Sequence, residues 1–262
     1  LPDPLPPELL AKYNFPALAP ALQAIHFPEK LEQAETARKK FAFEEILLFQ
    51  LRVLRDHRQL RSLKALPIKF NKELVANFVK NLPFGLTNDQ RIAAYEILQD
   101  LERPFPMNRL LNGDVGSGKT IVALIAAYQT INAGYQAVFM APTEILARQH
   151  FATSKALLTG GNQTLTIALL TASEASVVDE LGEEKVSKPK LKQKIAKGEV
   201  GILIGTHAII QKDVTFKNLA LVVIDEQHRF GIQQRMKLLK NQALVPHLLS
   251  MTATPIPRTL AL

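Results

Sequence analysis

The chain has 262 residues, 47% of them apolar, which leaves room for one large domain with a smaller appendage. It contains no cysteine, which excludes disulfide frameworks and cysteine-ligated metals. A formal charge of +8 favours a polyanionic partner, and no apolar run approaches the roughly 20 residues of a bilayer span, so a cytoplasmic location without a membrane partner is expected.

The opening Leu1-Pro2-Asp3-Pro4 has neither an initiator Met nor the plan of a signal peptide, so the chain is expected to be part of something longer. Residues 1–28 hold seven prolines: Pro2, Pro4, Pro6, Pro7, Pro16, Pro20 and Pro28. Proline fixes φ and removes a hydrogen-bond donor, so this stretch is expected to be irregular and mostly extended, with short helical pieces such as 8–12. From Pro28, which suits a helix's first turn, to about residue 66, nothing breaks a helical pattern. Leu31, Ala34, Phe41, Leu48 and Leu51 recur along it at helical spacings. Arg52, Arg55, Arg58 and Arg61 lie about one turn apart. They are either a DNA-facing stripe or a solvated face. A second helix is expected over 72–80.

After Pro83 short apolar runs alternate with helix-length segments. The runs are 109–112, 136–140, 165–170, 200–204, 219–224 and 247–251. Such alternation predicts an α/β fold, a mostly parallel sheet covered by helices on both faces and preceded by an α-helical linker. We therefore expect a linker region over 1–80 and a larger domain over 81–262. In such sheets ligands bind beyond the carboxyl ends of the strands. Residues 171–199, acidic and then lysine-rich, read as a partly mobile surface insertion leading into a helix begun by Pro189.

The sharpest motif is Gly113-Asp114-Val115-Gly116-Ser117-Gly118-Lys119-Thr120. It lies between a predicted strand and a predicted helix, the context a phosphate loop requires. Glycines let the backbone wrap close to phosphate oxygens, and the helix N-terminus adds a positive dipole end. Lys119 should reach the β- and γ-phosphates, and Thr120 should hold Mg²⁺ through its hydroxyl. About 105 residues downstream, Leu221-Val222-Val223-Ile224 deliver Asp225 and Glu226 to a strand terminus. Asp225 suits Mg²⁺, and Glu226 suits orienting or deprotonating the attacking water.

Phe84 precedes Thr87, a good helix N-cap, and Gln90. The Gln90 amide matches the edge of adenine, or it is a surface group of the first turn; chemistry alone leaves both open. Pro142 and Thr143 end one predicted strand, and Thr206 and His207 follow another. Thr143 either caps the next helix or, with Thr206, His207, Arg148, Gln149 and His150, contacts a nucleic-acid backbone. Thr252, Ala253 and Thr254 end the last strand; their hydroxyls either bond to Asp225, Glu226 or His228 or face solvent. Among the six histidines only His228 sits among the residues expected at the nucleotide site.

Together these strings resemble the motifs of superfamily 2 DNA helicases, and among them the bacterial branch-migrating group. Residues 82–90 are similar to the Q-type motif, 112–120 to motif I, 141–150 to motif Ia, 204–208 to motif Ib, 225–231 to motif II and 251–260 to motif III. The transcription-repair coupling translocases share part of this pattern, but Gln227 follows the branch-migrating group. Where Thr171-Ala172-Ser173 stands, the family has Thr-Gly-Ser. The resemblance implies a RecA-like phosphate-loop domain that binds ATP and Mg²⁺, with Gln227, His228, Thr252, Ala253 and Thr254 coupling hydrolysis to movement. It also implies branched or duplex DNA as partner. A second RecA-like domain would supply an arginine finger, and a wedge domain would split the fork.

Overall fold

The computed structural model describes residues 2–158, 165–210, 213–225 and 244–253. Two compact units part between Gln59 and Leu60.

The first unit holds α1 (Pro7–Tyr13), α2 (Leu18–His26) and all but the end of α3 (Leu31–Ser62). The proline-rich start is therefore helical, not mostly extended. Pro7 opens α1 and Pro20 lies in the first turn of α2, where a backbone N–H has no intrahelical acceptor to lose. Asn14, at φ 53°, closes α1 in a left-handed cap. Helix α3 begins at Leu31, not Pro28, and ends at Ser62. Its buried side is set by Ala37 and Lys40, while Leu31, Leu48 and Leu51 stay exposed, so the recurrence of apolar residues does not mark the packed face. The Lys40 ammonium is wholly buried and lies 3.3 Å from Asp3 and 3.4 Å from Glu44, which offset its charge. Arg52, Arg55 and Arg58 are exposed.

The second unit is built on a sheet of eight strands in the order β1-β8-β7-β2-β6-β3-β4-β5. The parallel strands are β1 (Asn108–Asn112), β2 (Gln136–Met140), β3 (Ile167–Leu170), β6 (Ile202–Gly205), β7 (Leu219–Asp225) and β8 (His247–Thr252). Alternation along them fills two cores. Ala137, Phe139, Leu221 and Val223 face one, with α5 (Asn88–Leu101), α6 (Lys119–Asn132) and α7 (Glu144–Leu158). Val138, Met140, Val222 and Ile224 face the other, with α8 (Lys188–Lys197). Both faces are thus covered, as near-continuous apolar strands require. Helix α4 (Lys72–Lys80) belongs to this unit: Phe78 stacks on Tyr128 of α6 at 4.4 Å between ring centroids. The compact unit therefore includes residues 60–80, which the sequence pattern assigns to the linker. No helix among the described residues is long and apolar enough to cross a membrane.

Residues 171–199 contain a hairpin that their composition does not suggest, together with the expected helix. β4 (Ala175–Asp179) and β5 (Gly182–Lys185) form a hairpin that extends the sheet antiparallel to β3. Its turn is held by Asp179, whose Oδ1 accepts from the Leu181 amide at 3.0 Å. The acidic composition hides the pattern, because only Ala175, Val177 and Val178 are buried apolar residues while all of β5 is exposed. Charged side chains suit that edge strand, since they discourage pairing with another chain. The helix begun by Pro189 is present as α8, with Ser187 as N-cap and Gly198, at φ 80°, as C-cap.

Two buried polar side chains tie the layers. Gln136 donates to Ile195 O and Val200 O and accepts from the amides of Lys217 and Asn218, so its amide is fully engaged. His247, wholly buried on β8, accepts from the Met107 amide through Nδ1 at 3.0 Å and donates through Nε2 to Leu66 O at 2.9 Å. Burial pushes its pKa below the ordinary 6.5, against the opposing pull of the Leu66 carbonyl and Asp100. The unfolded chain therefore takes up a proton at this position before the folded one does. Stability from this group is complete above pH 6.5 and falls as the pH drops below it. His247→Phe should lower neutral-pH stability by about 1–3 kcal/mol by orphaning the Met107 amide. It should also flatten the acid side of the urea-midpoint profile, which a pH series of unfolding curves measures.

Candidate nucleotide-binding site

All parallel strands bring their carboxyl ends to one edge of the sheet, and the register decides which ends meet. Asn112 pairs with Thr252 and Asp225 with Met251, so β1, β8 and β7 finish side by side. The Gly113 amide continues the ladder to Thr252 O at 3.3 Å. The start of the glycine-rich loop and Asp225 thus lie two strand spacings apart, about 10 Å.

The loop over 113–118 wraps ahead of α6. Gly116 and Gly118 both sit at φ 81°, the left-handed region that side chains disfavour, and Gly118 is the N-cap of α6. Val115 is 90% exposed, so the loop's tip makes no packing contacts that would close the cradle. Lys119 folds back over the loop and donates to Gly113 O at 2.6 Å and Asp114 O at 2.8 Å. A phosphate group fits this arrangement. The loop lacks side chains where glycines stand, a helix N-terminus faces it, and an ammonium is held at its mouth.

Thr87 caps α5 in a reciprocal capping box with Gln90. Gln90 Oε1 accepts from the Thr87 amide at 2.9 Å, and Nε2 donates to Ser117 O at 2.8 Å. The side chain is therefore a strut between α5 and the loop, a role the sequence did not single out. One N–H and one lone pair remain for any further partner. Phe84 lies nearby in sequence and is 47% exposed.

Asp225 is half-buried, and its Oδ2 lies 2.8 Å from His150 Nε2. Sequence reasoning placed His150 with the nucleic-acid contacts; the structure buries it against Phe139, at 4.5 Å between ring centroids, and turns it to the carboxylate. No spacing rule signals this, because the partners are 75 residues apart. Asp225 and the half-buried Thr120 supply the oxygen donors that a hard cation prefers. Among the described residues no group of three or more His, Cys, Asp or Glu could hold a metal. A carboxylate and a hydroxyl suit Mg²⁺ bound together with phosphate and water.

Thr252 is buried and Ala253 half-buried at the end of β8. Glu226, Gln227, His228 and Thr254 lie outside the described residues. Along the same edge, Thr143 Oγ1 accepts from the Leu146 amide at 3.3 Å and so caps α7, which is the simpler of its two readings. Pro142 is half-buried, Thr206 buried and His207 exposed. Arg148 pairs with Glu174 and reaches Ser173 Oγ at 3.4 Å. Glu144 accepts from Ser173 Oγ at 2.5 Å, and that hydroxyl, with the Ser173 amide, holds its carboxyl below the usual carboxylate range.

A strand, a glycine-rich loop, a helix and a neighbouring strand-terminal aspartate define the class, a phosphate-loop domain of RecA-like fold. Residues 87–262 match the DEAD/DEAH box helicase family, and the chain belongs to that family. Its homologues include RecG helicases. It is 46% identical over 263 residues to the ATP-dependent DNA helicase RecG of Bacillus subtilis (strain 168), covering 100% of this chain and 37% of that protein. It is 42% identical over 270 residues to that of Aquifex aeolicus (strain VF5), covering 100% of this chain and 32% of that protein. The chain thus spans about a third of the length of the curated relatives it matches. A solved structure of RecG bound to a three-way DNA junction aligns with a TM-score of 0.82 at 39% identity, over 100% of this chain and 34% of that one. A DEAD box protein of Methanococcus jannaschii shares the fold, with a TM-score of 0.52 at 23% identity over 72% of this chain and 49% of that one.

The loop geometry ranks two substitutions. Gly116→Ala has open space around its added carbon and should cost about 1–2 kcal/mol from backbone strain alone. Gly118→Ala would place that carbon 2.3 Å from Gln90 Nε2 and must cost more, by displacing the strut. Urea unfolding of the two variants checks the order.

Proposed function

We propose that this chain is the first ATP-binding motor domain of a RecG-like DNA helicase or translocase that remodels branched DNA at stalled forks and junctions in recombination and repair. The observation that carries the reading is the shared strand edge, where the Gly113 amide bonds to Thr252 O and Asp225 stands one strand further on. The relatives' own activity on DNA supports it, as does the basic charge.

The backbone amides of Gly113, Asp114, Val115, Gly116, Ser117 and Gly118 wrap the triphosphate of ATP. Lys119 exchanges its loop carbonyls for the β- and γ-phosphate oxygens. Thr120 and Asp225 hold Mg²⁺, which neutralises charge that develops on the phosphates. Glu226 orients or deprotonates the attacking water. Phe84 and Gln90 contact the base, with Gln90 using the amide hydrogen and lone pair left over from its strut. Gln227, His228, Thr252, Ala253 and Thr254 couple the nucleotide state to movement. Pro142, Thr143, Arg148, Thr206 and His207 lie toward the DNA backbone. For Arg148 this requires release from Glu174.

Residues 81–262 form the motor domain proper and 1–80 the helical linker, of which 60–80 fall within the same compact unit as the motor domain. A second RecA-like domain and a wedge domain of the full-length protein complete the machine in a bacterial cytoplasm, at the nucleoid. An arginine finger is worth roughly 10³–10⁵ in rate in related phosphate-loop enzymes. The chain alone therefore binds ATP·Mg weakly and hydrolyses it slowly.

The test is ATP turnover by the full-length protein with fork, duplex and single-stranded DNA. Turnover should rise most with branched DNA, fall steeply with salt because phosphate contacts dominate, and drop by at least 10²-fold in Lys119→Ala. ATP binding without DNA-stimulated turnover would instead mark a nucleotide-gated binding module.

A further inference from the structure

His150 is a buried polar side chain of the second unit, and packing alone does not account for it. The residue is 7% exposed, and its ring rests on the wall made by Phe139, itself 1% exposed. A leucine or phenylalanine would fill that wall without the cost of desolvating two ring nitrogens. What an apolar residue would not supply is the hydrogen bond to Asp225 Oδ2 at 2.8 Å. An ionised carboxylate only accepts, so Nε2 must carry the hydrogen.

The geometry points to His150 as a positioning residue for the metal-binding carboxylate, an inference that rests on the ATP·Mg reading above. Asp225 ends β7, where its backbone is fixed by pairing with Met251, and strand pairing by itself does not set its χ1 and χ2. Donation from His150 occupies Oδ2 and directs Oδ1 to the metal. A carboxylate held this way loses little rotational freedom on binding the ion, and its two oxygens are assigned different tasks. Partners that orient a metal ligand in this manner typically change metal affinity by 10–100-fold when removed. His150 touches no metal or substrate itself. It acts through Asp225, and it ties that carboxylate to α7, the helix that also carries Arg148.

The experiment uses the full-length protein and a fluorescent ATP analogue, titrated with Mg²⁺ and, separately, in excess chelator. His150→Phe should raise the Mg²⁺ concentration for half-maximal binding by about tenfold or more. Its metal-free nucleotide affinity should match wild type. His150→Gln, which keeps an N–H near the same place, should recover most of the loss. An unchanged Mg²⁺ dependence in a folded His150→Phe protein overturns the inference and leaves the nucleotide reading standing. Wild-type protein with no Mg²⁺-dependent uptake sinks the nucleotide reading, and this inference with it. Should His150→Phe fail to fold, nitrogen NMR of wild-type imidazoles decides. The Nε2–H tautomer with a resonance that moves on adding Mg²⁺ and nucleotide is expected, and the Nδ1–H tautomer overturns the assignment.

Discussion

Parallel pairing is the constraint from which the site follows. Antiparallel strands would send alternate ends to opposite edges, whereas β1, β8 and β7 all finish together. Their register is pinned by burial. Leu221 and Val223 fill one core and Val222 and Ile224 the other, so a slip by one residue would exchange the two sets. The same register sets Asn112 opposite Thr252 and Asp225 opposite Met251. Asp225 and Thr252 are thus placed by strands held in a covered sheet, which is a more rigid arrangement than a loop.

Around that edge, side chains from three helices hold the pieces in place. Gln90 of α5 holds the Ser117 carbonyl, Lys119 of α6 turns back on the Gly113 and Asp114 carbonyls, and His150 of α7 meets Asp225. Each contact fixes a group that an isolated loop would leave free. The lysine contacts are exchangeable, because a phosphate oxygen is a stronger acceptor for an ammonium than a peptide carbonyl.

A comparable competition is written at the neighbouring strand ends. Arg148, one of the side chains read as DNA contacts, is paired with Glu174, while the neighbouring Glu144 accepts from Ser173. A carboxylate presents the same planar acceptor pair to a guanidinium that a phosphate does. The β4–β5 hairpin that brings Glu174 and Lys185 to this corner extends the sheet past β3.

Much of this was legible because it is local. The positions of the parallel strands follow from apolar runs, and the glycine-rich loop announces itself by spacing within eight residues. The hairpin at 175–185 was obscured by acidic residues on an exposed edge, and the helices at 7–26 by prolines that start helices as readily as they stop them. The sequence by itself determined the fold class, the glycine-rich loop and the strand that ends at Asp225, since these show in local spacing and in the alternation of short apolar runs with helix-length segments. Only the tertiary structure decided that Gln90 struts Ser117, that His247 clamps Met107 to Leu66, and that His150 faces Asp225 rather than solvent. Those pairs are separated by 27 to 181 residues, and nothing short of a packed sheet brings such distant groups within a hydrogen bond of each other.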